Sequence, residues 1–354
     1  MLTLLAFIFV LGIAILFHEF GHFITAKLSG IKVFRFSLGF GPRIAGIFWK
    51  GTEYVICLFP FGGYVKMAGE TPQKEKTINN ELSQQEEEVP DSQRYDRKSI
   101  LTRIRVVVNG PIMNIILAVL LLVIVFYFSG TTRVTNTISE VAENTPAAEA
   151  EIKSGDRIIA INAVNIDNAE EISEMINQNR DQVIFLSLIR DNEVIEIRLV
   201  PEYNDEYQRA MIGITLEVNK EKLTFFQSVN KSIGMTGEIL LLIVKGFIEM
   251  FTGNMPVELA GPLGIAQMAG EAAQIGFLNL LFFTAVINIF LGVINLFPIP
   301  ILDGGQIVLL AFEKIRGKPL EPEHVNFLYF IGIALVVMIF LIATYQDILR
   351  FFTE

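Results

Sequence analysis

Residues 2–28 read LTLLAFIFVLGIAILFHEFGHFITAKL, an apolar run that is long enough to cross a bilayer yet contains two histidines and a glutamate. At about 1.5 Å per helical residue, His18 lies roughly 25 Å along this run, near the inner face of the hydrocarbon. Ionisable side chains are costly at that depth unless they are paired or coordinated. The stretch therefore predicts a membrane span whose polar cluster has a functional role.

The polar cluster, HEFGH at residues 18–22, has the HExxH pattern. On a helix, two histidines four residues apart share one face and can bind one zinc ion, with the glutamate beside it as general base. A catalytic zinc needs a third protein ligand. His324, the one other histidine, lies between acidic residues in a polar loop and is expected at the surface. Asp303, at the end of a later apolar span, is the predicted third ligand.

The composition is that of a membrane protein, with 52% hydrophobic and 19% charged residues among 354. The net charge of -10 argues against a nucleic-acid partner, which would need a basic surface. A single cysteine, Cys57, excludes an intramolecular disulfide and a multi-thiolate metal site. Residues 232–253, short and interrupted by charges, are predicted to form an interfacial amphipathic helix. Four spans are predicted, at residues 2–28, 104–128, 278–300 and 327–349.

The charge of the segments between the spans predicts their sides of the membrane. Residues 27–105 contain about 13 Lys and Arg against 9 Asp and Glu, whereas residues 129–274 contain about 11 against 22. By the positive-inside rule the first segment is cytoplasmic. Both termini and the second segment are then expected to be extracytoplasmic.

The chain divides into three parts on this basis. Residues 1–128 are predicted as an N-terminal membrane part, 131–205 as a small soluble domain and 206–354 as a C-terminal membrane part. Within the first part we expect a cytoplasmic or membrane-reentrant β-hairpin region at 30–75. A flexible loop is expected at 76–99, which includes an acidic, Gln-rich run.

The soluble domain is predicted to consist of strands and turns around one helix, because short alternating segments are separated by turn residues. The predicted elements are strands at 157–162, 183–189 and 194–200 and a helix at 169–178.

The segment NLFPIPILDGG, residues 295–305, combines an asparagine, two prolines, an aspartate and two glycines, which a simple helix C-terminus would not require. Pro298 and Pro300 cannot continue a helix, so backbone groups there are free to hydrogen-bond an extended substrate. Gly304 and Gly305 allow close approach of another backbone. We therefore predict that this segment lies at the site.

In combination, these motifs resemble the bacterial site-2 proteases of the regulator-of-sigma-E protease type, and the resemblance covers nearly the whole chain. Besides HEFGH and NLFPIPILDGG, it rests on NGPIMN at residues 109–114 and on a PDZ-like segment at residues 143–165. It implies an α-helical polytopic membrane protein with about four transmembrane helices, a membrane-associated β-hairpin and an inserted extracytoplasmic PDZ-like α+β domain. One such domain is present where the best-known members carry two, and Glu151 stands where glycine is commoner.

The resemblance also implies roles for individual residues. His18, His22 and Asp303 would bind Zn2+, and Glu19 would be the catalytic base. Residues 53–66 resemble the hairpin that receives an unwound substrate as a strand in this family. Substrate-binding residues would be Asn295, Pro298, Pro300, Gly62 and Gly63.

The implied function is that of an intramembrane zinc metalloendopeptidase, which cleaves peptide bonds within or near transmembrane segments. The expected substrates are single-span membrane proteins such as anti-sigma factors, or remnant signal peptides. Further expected partners are the lipid bilayer and a peptide ligand of the PDZ-like domain, and the expected location is the bacterial cytoplasmic (inner) membrane.

Two other functions are weighed against this one. A metal transporter could use His18, His22 and Asp303 as a transit site, but transporters usually contain repeated groups of spans, which this sequence lacks. An inactive PDZ-bearing membrane scaffold would have no physical reason to keep ionisable groups inside a span.

Overall fold

The computed structural model describes residues 1–70, 89–166, 168–205, 207–253, 261–318 and 320–353. The chain forms two compact units, one made of Met1–Phe128 with Thr224–Glu354 and the other of Ser129–Leu223. Most of the predicted flexible loop, from 76 to 88, lies outside the described residues.

The first unit is built mainly from helices. In chain order, the helices of the whole protein are α1 (Leu2–Leu28), α2 (Ile100–Ser129), α3 (Pro146–Glu149), α4 (Ala169–Gln178), α5 (Phe225–Phe251), α6 (Pro262–Ile275), α7 (Phe277–Ile294), α8 (Asp303–Arg316) and α9 (Pro322–Thr353).

Four helices among the described residues are long and apolar enough to span a membrane, which confirms the predicted number. They are Leu2–Leu28, Ile100–Ser129, Phe277–Ile294 and Glu323–Arg350.

The third span differs from its prediction. It ends at Ile294 and not at residue 300, and Asp303 begins the next helix, α8, where a position at the end of the span was predicted. Pro298 and Pro300 lie in the intervening turn, because neither can donate the backbone hydrogen bond that a continuing helix requires. The prediction extended the apolar run too far toward these prolines.

Two helices of this unit, α6 and α8, were not predicted, and α5 begins seven residues before the predicted start at 232. Thr224 and Gln227 form a capping box at the start of α5, a signal that sequence inspection missed. α6 is held from a distant part of the chain, because the buried carboxylate of Asp347 in α9 accepts hydrogen bonds from the backbone N–H groups of Gly261 and Gly264.

The β-hairpin region consists of two long strands, β1 (Val33–Trp49) and β2 (Thr52–Met67), which pair antiparallel. The turn between them is Lys50-Gly51, both with positive φ. Residues 53–66, predicted to resemble a hairpin by themselves, therefore form only its second strand. Phe36 of β1 lies opposite two segments of β2, at Tyr54 and at Val65. Phe23 of α1 packs edge-on against Phe36 and Tyr54, so the hairpin is fixed to the helix that carries HEFGH.

The second unit is rich in strands. They are β3 (Thr131–Val141), β4 (Arg157–Ile161), β5 (Val164–Asn165), β6 (Ile184–Arg190), β7 (Glu193–Leu199), β8 (Glu202–Asn204), β9 (Arg209–Met211) and β10 (Ile214–Glu221).

A six-stranded sheet organises this unit in the order β10-β3-β4-β6-β7, with β5 beside β4. The core beneath it consists mainly of isoleucine and leucine side chains, with Ile172 and Ile176 contributed by α4. The predicted strands β4, β6 and β7 and the predicted helix α4 are confirmed. The unit extends to Leu223 and not to 205, because β10 pairs along β3 and so returns the chain to the start of the sheet.

An ion pair between buried Asp156, which precedes β4, and partly exposed Arg190 of β6 links these two strands. The Asp156 carboxylate accepts hydrogen bonds of 2.7 and 2.6 Å from Arg190 and one of 2.8 Å from the N–H of Lys153. Burial alone would raise the pKa of Asp156, but these hydrogen bonds outweigh it and hold the pKa below its usual range.

The stabilisation from Asp156 should depend on pH. A depressed folded-state pKa contributes stability that is present above the unfolded value, near about 4, and is lost as the pH falls below it. We expect Asp156→Asn to lower the free energy of unfolding of this unit by about 2 kcal/mol at pH 7 and by less at pH 3. Urea unfolding of the full chain, followed by hydrogen exchange in β4 and β6, measures both values. An equal loss at the two pH values would contradict the account.

Glu151 has a left-handed backbone, with φ of 56°, which explains why the resembling family favours glycine there. A side chain in this conformation costs about 1 kcal/mol. We expect Glu151→Gly to raise the thermal stability of the unit. Hydrogen exchange of β4 and β6, followed as the temperature is raised, measures the change. Glu140→Gly is the control, because Glu140 lies in β3 and should lose stability on the same change.

Candidate active site

Helix α1 brings its two histidines together as the four-residue spacing predicts. The Nε2 atoms of His18 and His22 are 3.1 Å apart, and both rings are largely buried. The carboxylate of Asp303 lies beside them, with Oδ2 at 3.1 Å from Nε2 of His18 and Oδ1 at 3.5 Å from Nε2 of His22. These three residues are the one group of possible metal ligands found among the described residues.

Asp303 reaches the histidines because of the turn that precedes it. The N–H of Gly304 donates a 2.7 Å hydrogen bond to the carbonyl of Asn295, which closes the loop between α7 and α8. A Cβ atom at Gly304 would overlap the backbone of Leu296, and one at Gly305 would overlap the backbone of Ile299. The two glycines therefore let the first turn of α8 pack against the loop. Asp303 is also the first residue of α8, where the helix dipole is positive.

Helix α2 orients the histidine rings from the other side. Nδ1 of His22 lies 2.9 Å from the carbonyl oxygen of Val106, which is an acceptor only, so Nδ1 carries the proton. In the neutral imidazole, Nε2 of His22 is then the nitrogen with the lone pair, and it faces the second histidine and the carboxylate. Gly110 lies directly against both rings, and a Cβ atom there would overlap the ring of His22.

This arrangement of donors fits a zinc ion. Two imidazole nitrogens and a carboxylate oxygen are the ligands that zinc accepts in hydrolases. A neutral Nε2 lone pair and a carboxylate repel each other unless a cation lies between them. Oδ2 of Asp303 and Nδ1 of His18 are buried and have no hydrogen-bond partner among the described residues, so the carboxylate oxygen is available as a ligand.

Glu19 lies at the same cavity, one residue along from the first histidine. The cavity has a volume of about 240 Å³ and is lined by His18, Glu19, His22 and Asp303 together with residues of β2 and of the loop before α8. A Cβ atom at Gly63 would come within 2.9 Å of Cγ of Glu19, so this glycine gives the glutamate its space. The acid can therefore face a substrate held beside β2.

The predicted substrate-binding residues are not all at the cavity. Asn295 and Gly63 line it, whereas Gly62, Pro298 and Pro300 are not among its lining residues. Gly62 has φ of 116°, and a Cβ atom there would overlap the Phe40 ring. Its backbone conformation in β2 and this close packing therefore both require glycine.

Several cavity residues were missed by sequence reasoning. Tyr64, Glu70, Tyr95 and Gln306 line the cavity from β2, from the loop before α2 and from α8. Burial raises the pKa of the Tyr95 phenol above its ordinary value, so this group keeps its proton and can act as a hydrogen-bond donor. No motif marks these residues, because they converge only in the folded chain.

A second missed feature is the ion pair between Arg103 of α2 and Glu313 of α8. Nη1 of Arg103 lies 3.1 Å from Oε2 of Glu313, and Nη2 contacts the other carboxylate oxygen. Both side chains are largely buried, at 12% and 15% exposure. The pair ties the helix that begins with Asp303 to the helix that orients His22.

We expect Glu313→Gln to destabilise the first unit by about 3 kcal/mol, because it leaves the Arg103 charge buried without its partner. Detergent-solubilised protein titrated with denaturant measures the change. The exchanged pair, Arg103→Glu with Glu313→Arg, should recover a large part of the loss. If the single variant is as stable as the wild type, the pair does not hold α8.

Comparison with known proteins gives a consistent result. The sequence profile of peptidase family M50 matches residues 6–339. A Clostridium acetobutylicum protein, provisionally named a zinc metalloprotease, is 35% identical over 95% of this chain and 94% of its own length. The regulator of sigma-W protease RasP of Bacillus subtilis is 29% identical, and zinc metalloprotease RasP of Bacillus licheniformis is 30% identical. Each of these two alignments covers 99% of both chains.

Solved PDZ domains match a part of this chain. The PDZ domain of an SdrC-like protein from Listeria monocytogenes aligns over 23% of this chain and 84% of its own length, with 20% identity and a TM-score of 0.21. At that TM-score the match carries no argument about the fold, so the PDZ-like character of this unit stays a prediction.

Proposed function

Because the chain belongs to peptidase family M50, the site-2 proteases, and is an intramembrane zinc metalloprotease, we propose that His18, His22 and Asp303 hold its zinc and that Glu19 is its general base. The observation that carries this proposal is the convergence of these four side chains on one cavity. Zinc, when bound, supplies Lewis-acid polarisation of the substrate carbonyl and acidifies water.

The chain's own residues perform the proton transfers. Glu19 takes the proton from the attacking water and then gives it to the leaving amine, so the same carboxyl serves as base and acid. The Val106 carbonyl keeps the proton of His22 on Nδ1 and leaves Nε2 free as a ligand. Tyr95 lines the same cavity and is a donor suited to the substrate carbonyl.

The substrate must be extended at the cut, because a helix hides its own amide groups. The β2 segment at Gly63 and Tyr64 lines the cavity beside Glu19, so an extended substrate there could pair with the strand. Asn295 borders the cavity from the opposite segment. The remaining predicted substrate-binding residues, Gly62, Pro298 and Pro300, do not line the cavity. We propose that they act indirectly, by setting the backbone shape of β2 and of the loop before α8.

We propose that the substrates are single-span membrane proteins, with anti-sigma factors favoured because a relative is named regulator of sigma-W protease. The proposed location is the bacterial cytoplasmic membrane, with both termini and the Ser129–Leu223 unit outside. The charge difference between the segments supports this orientation. That unit would act as a PDZ-like module that binds peptide.

A metal transporter remains the second candidate, because the same three ligands would suit ion transit. A glutamate beside the ligands and a cavity bordered by a strand favour hydrolysis. Transit would need no such strand.

The proposal is tested with the full chain reconstituted with a single-span membrane protein. We expect cleavage inside the apolar segment, located by mass spectrometry of both products. A chelator should stop the reaction and added zinc should restore it. Zinc flux across the vesicles without any cleavage would favour the transporter and overturn the proposal.

A further inference from the structure

In the Ser129–Leu223 unit, strand β3 is much longer than its contact with β4. Along one edge β3 pairs with β10 from Val141 to Thr131. Along the other edge the ladder to β4 has a single pair, Thr137 with Arg157. Among the described residues, positions 131–136 therefore have no ladder partner on that side.

A cavity of about 710 Å³ follows this unpaired edge. Five consecutive residues of β3, Arg133 to Thr137, line it. Successive side chains of a strand point to opposite faces, so a cavity that touches five in a row reaches the strand edge, where the backbone N–H and C=O groups are. The cavity also extends across β3 to Asn219, Lys220 and Glu221 of β10, which pairs with the other edge of the strand. The facing wall is formed by Ile158 and Ile159 of β4 and by Ile166 and Asn168.

The charge of this cavity is opposite to that of its surroundings. Residues 129–223 contain 9 Lys and Arg against 18 Asp and Glu, a net charge of 9 − 18 = −9. Arg133, Arg157 and Lys220 nevertheless gather at the cavity, and all three are exposed. In the described part of the chain none of them forms an ion pair, and Glu221 is the one acid in the lining.

We propose that this edge binds an extended, acid-bearing polypeptide segment, the extracytoplasmic stub of a membrane-anchored substrate, as an added strand beside residues 131–136. The backbone edge supplies the hydrogen bonds of strand addition and the three basic side chains select carboxylates. The inference rests on the proposed function, because it names the kind of substrate that this protease takes.

The unpaired edge of β3 begins close in sequence to a predicted membrane span. Thr131 follows Ser129, the last residue of the membrane helix α2, by two positions. The edge is distinct from the groove between α4 and residues 209–214 in the same unit. A lipid headgroup would satisfy the basic side chains but not the row of backbone groups.

The test uses full-length protein with Glu19→Gln, in detergent, and fluorescent single-span peptides. One peptide has a short stub with several glutamates, a second has glutamine at the same positions, and a third has lysine. We expect Arg133→Glu with Arg157→Glu to weaken binding of the glutamate stub about tenfold, to leave the glutamine stub unchanged and to strengthen the lysine stub. Arg198→Glu is the matched control, because Arg198 is exposed on β7 outside this cavity.

Hydrogen exchange locates the bound stub. We expect new protection at residues 131–136, whereas protection confined to α4 and residues 209–218 would overturn the inference. Equal binding of the three stubs to wild type and variant would overturn it too. So would a variant that loses binding to phosphatidylglycerol vesicles yet keeps its affinity for the glutamate stub. Cleavage of the glutamine-stub peptide by the wild type tests the proposed function separately, so the two failures are distinguishable.

Discussion

Replacing Glu19 by glutamine should lower the rate of peptide-bond cleavage at least about a hundredfold and leave the zinc content unchanged. Glutamine has nearly the same shape, so the packing of the side chain against Gly63 is kept. It cannot take a proton from water or return one to the leaving amine. Initial rates with a single-span substrate and metal analysis of the same preparation measure both quantities.

Glu238→Gln is the matched control for this change. Glu238 is exposed on α5 and is not among the residues that line the cavity, so activity and zinc content should equal those of the wild type. If Glu19→Gln cleaves at the wild-type rate, the general base is another group. If it loses zinc along with activity, Glu19 serves the metal site and its role in proton transfer is unsupported.

Replacing Gly110 by alanine should empty the metal site. The added Cβ would overlap the ring of His22 and lie 2.9 Å from Cε1 of His18. Helix α2 cannot move away from the ring without breaking the hydrogen bond between Nδ1 of His22 and the Val106 carbonyl. The rings must then turn away from Asp303. We expect zinc content and cleavage to fall together by at least about tenfold, since loss of ligand orientation alone has effects of this size.

Gly12→Ala provides the comparison, because it makes the same substitution in a membrane helix where no atom lies within 4 Å of the added Cβ. Both variants should keep native helix content by circular dichroism. Normal zinc binding by Gly110→Ala would mean that α2 does not lie against the histidines as described.

The sequence predicted the closeness of the two histidines because their signal is local. HEFGH places two histidines on one helical face by spacing alone, and its position in an apolar run gives the reason for keeping it. The four spans follow from length and hydropathy in the same way.

Features that depend on long-range packing could not be predicted. Arg103 and Glu313 are separated by 210 positions, and neither belongs to a motif that would connect them. The need for Gly110 arises only when α2 meets α1. The pairing of β1 with β2 was obscured because β1 contains Gly41-Pro42, a dipeptide typical of turns, so alternation was recognised only in the second strand.

Asp303 lies beside the two histidines as predicted, but the prediction assigned it to the wrong element. An acid after an apolar run was read as the end of a span, whereas the structure makes it the first residue of α8. The two glycines after it were expected to allow close approach, and they do so against the loop that precedes the helix. The unpredicted start of α8 also puts the carboxylate at the positive end of a helix dipole.

X-ray absorption at the zinc edge would measure whether His18, His22 and Asp303 together hold one catalytic zinc ion. The full-length protein should bind one zinc per chain, with two imidazole nitrogens and at least one carboxylate oxygen in the coordination shell. Asp303→Ala should lose the carboxylate ligand and most of the zinc. Undiminished zinc in that variant, with an unchanged coordination spectrum, would contradict the account.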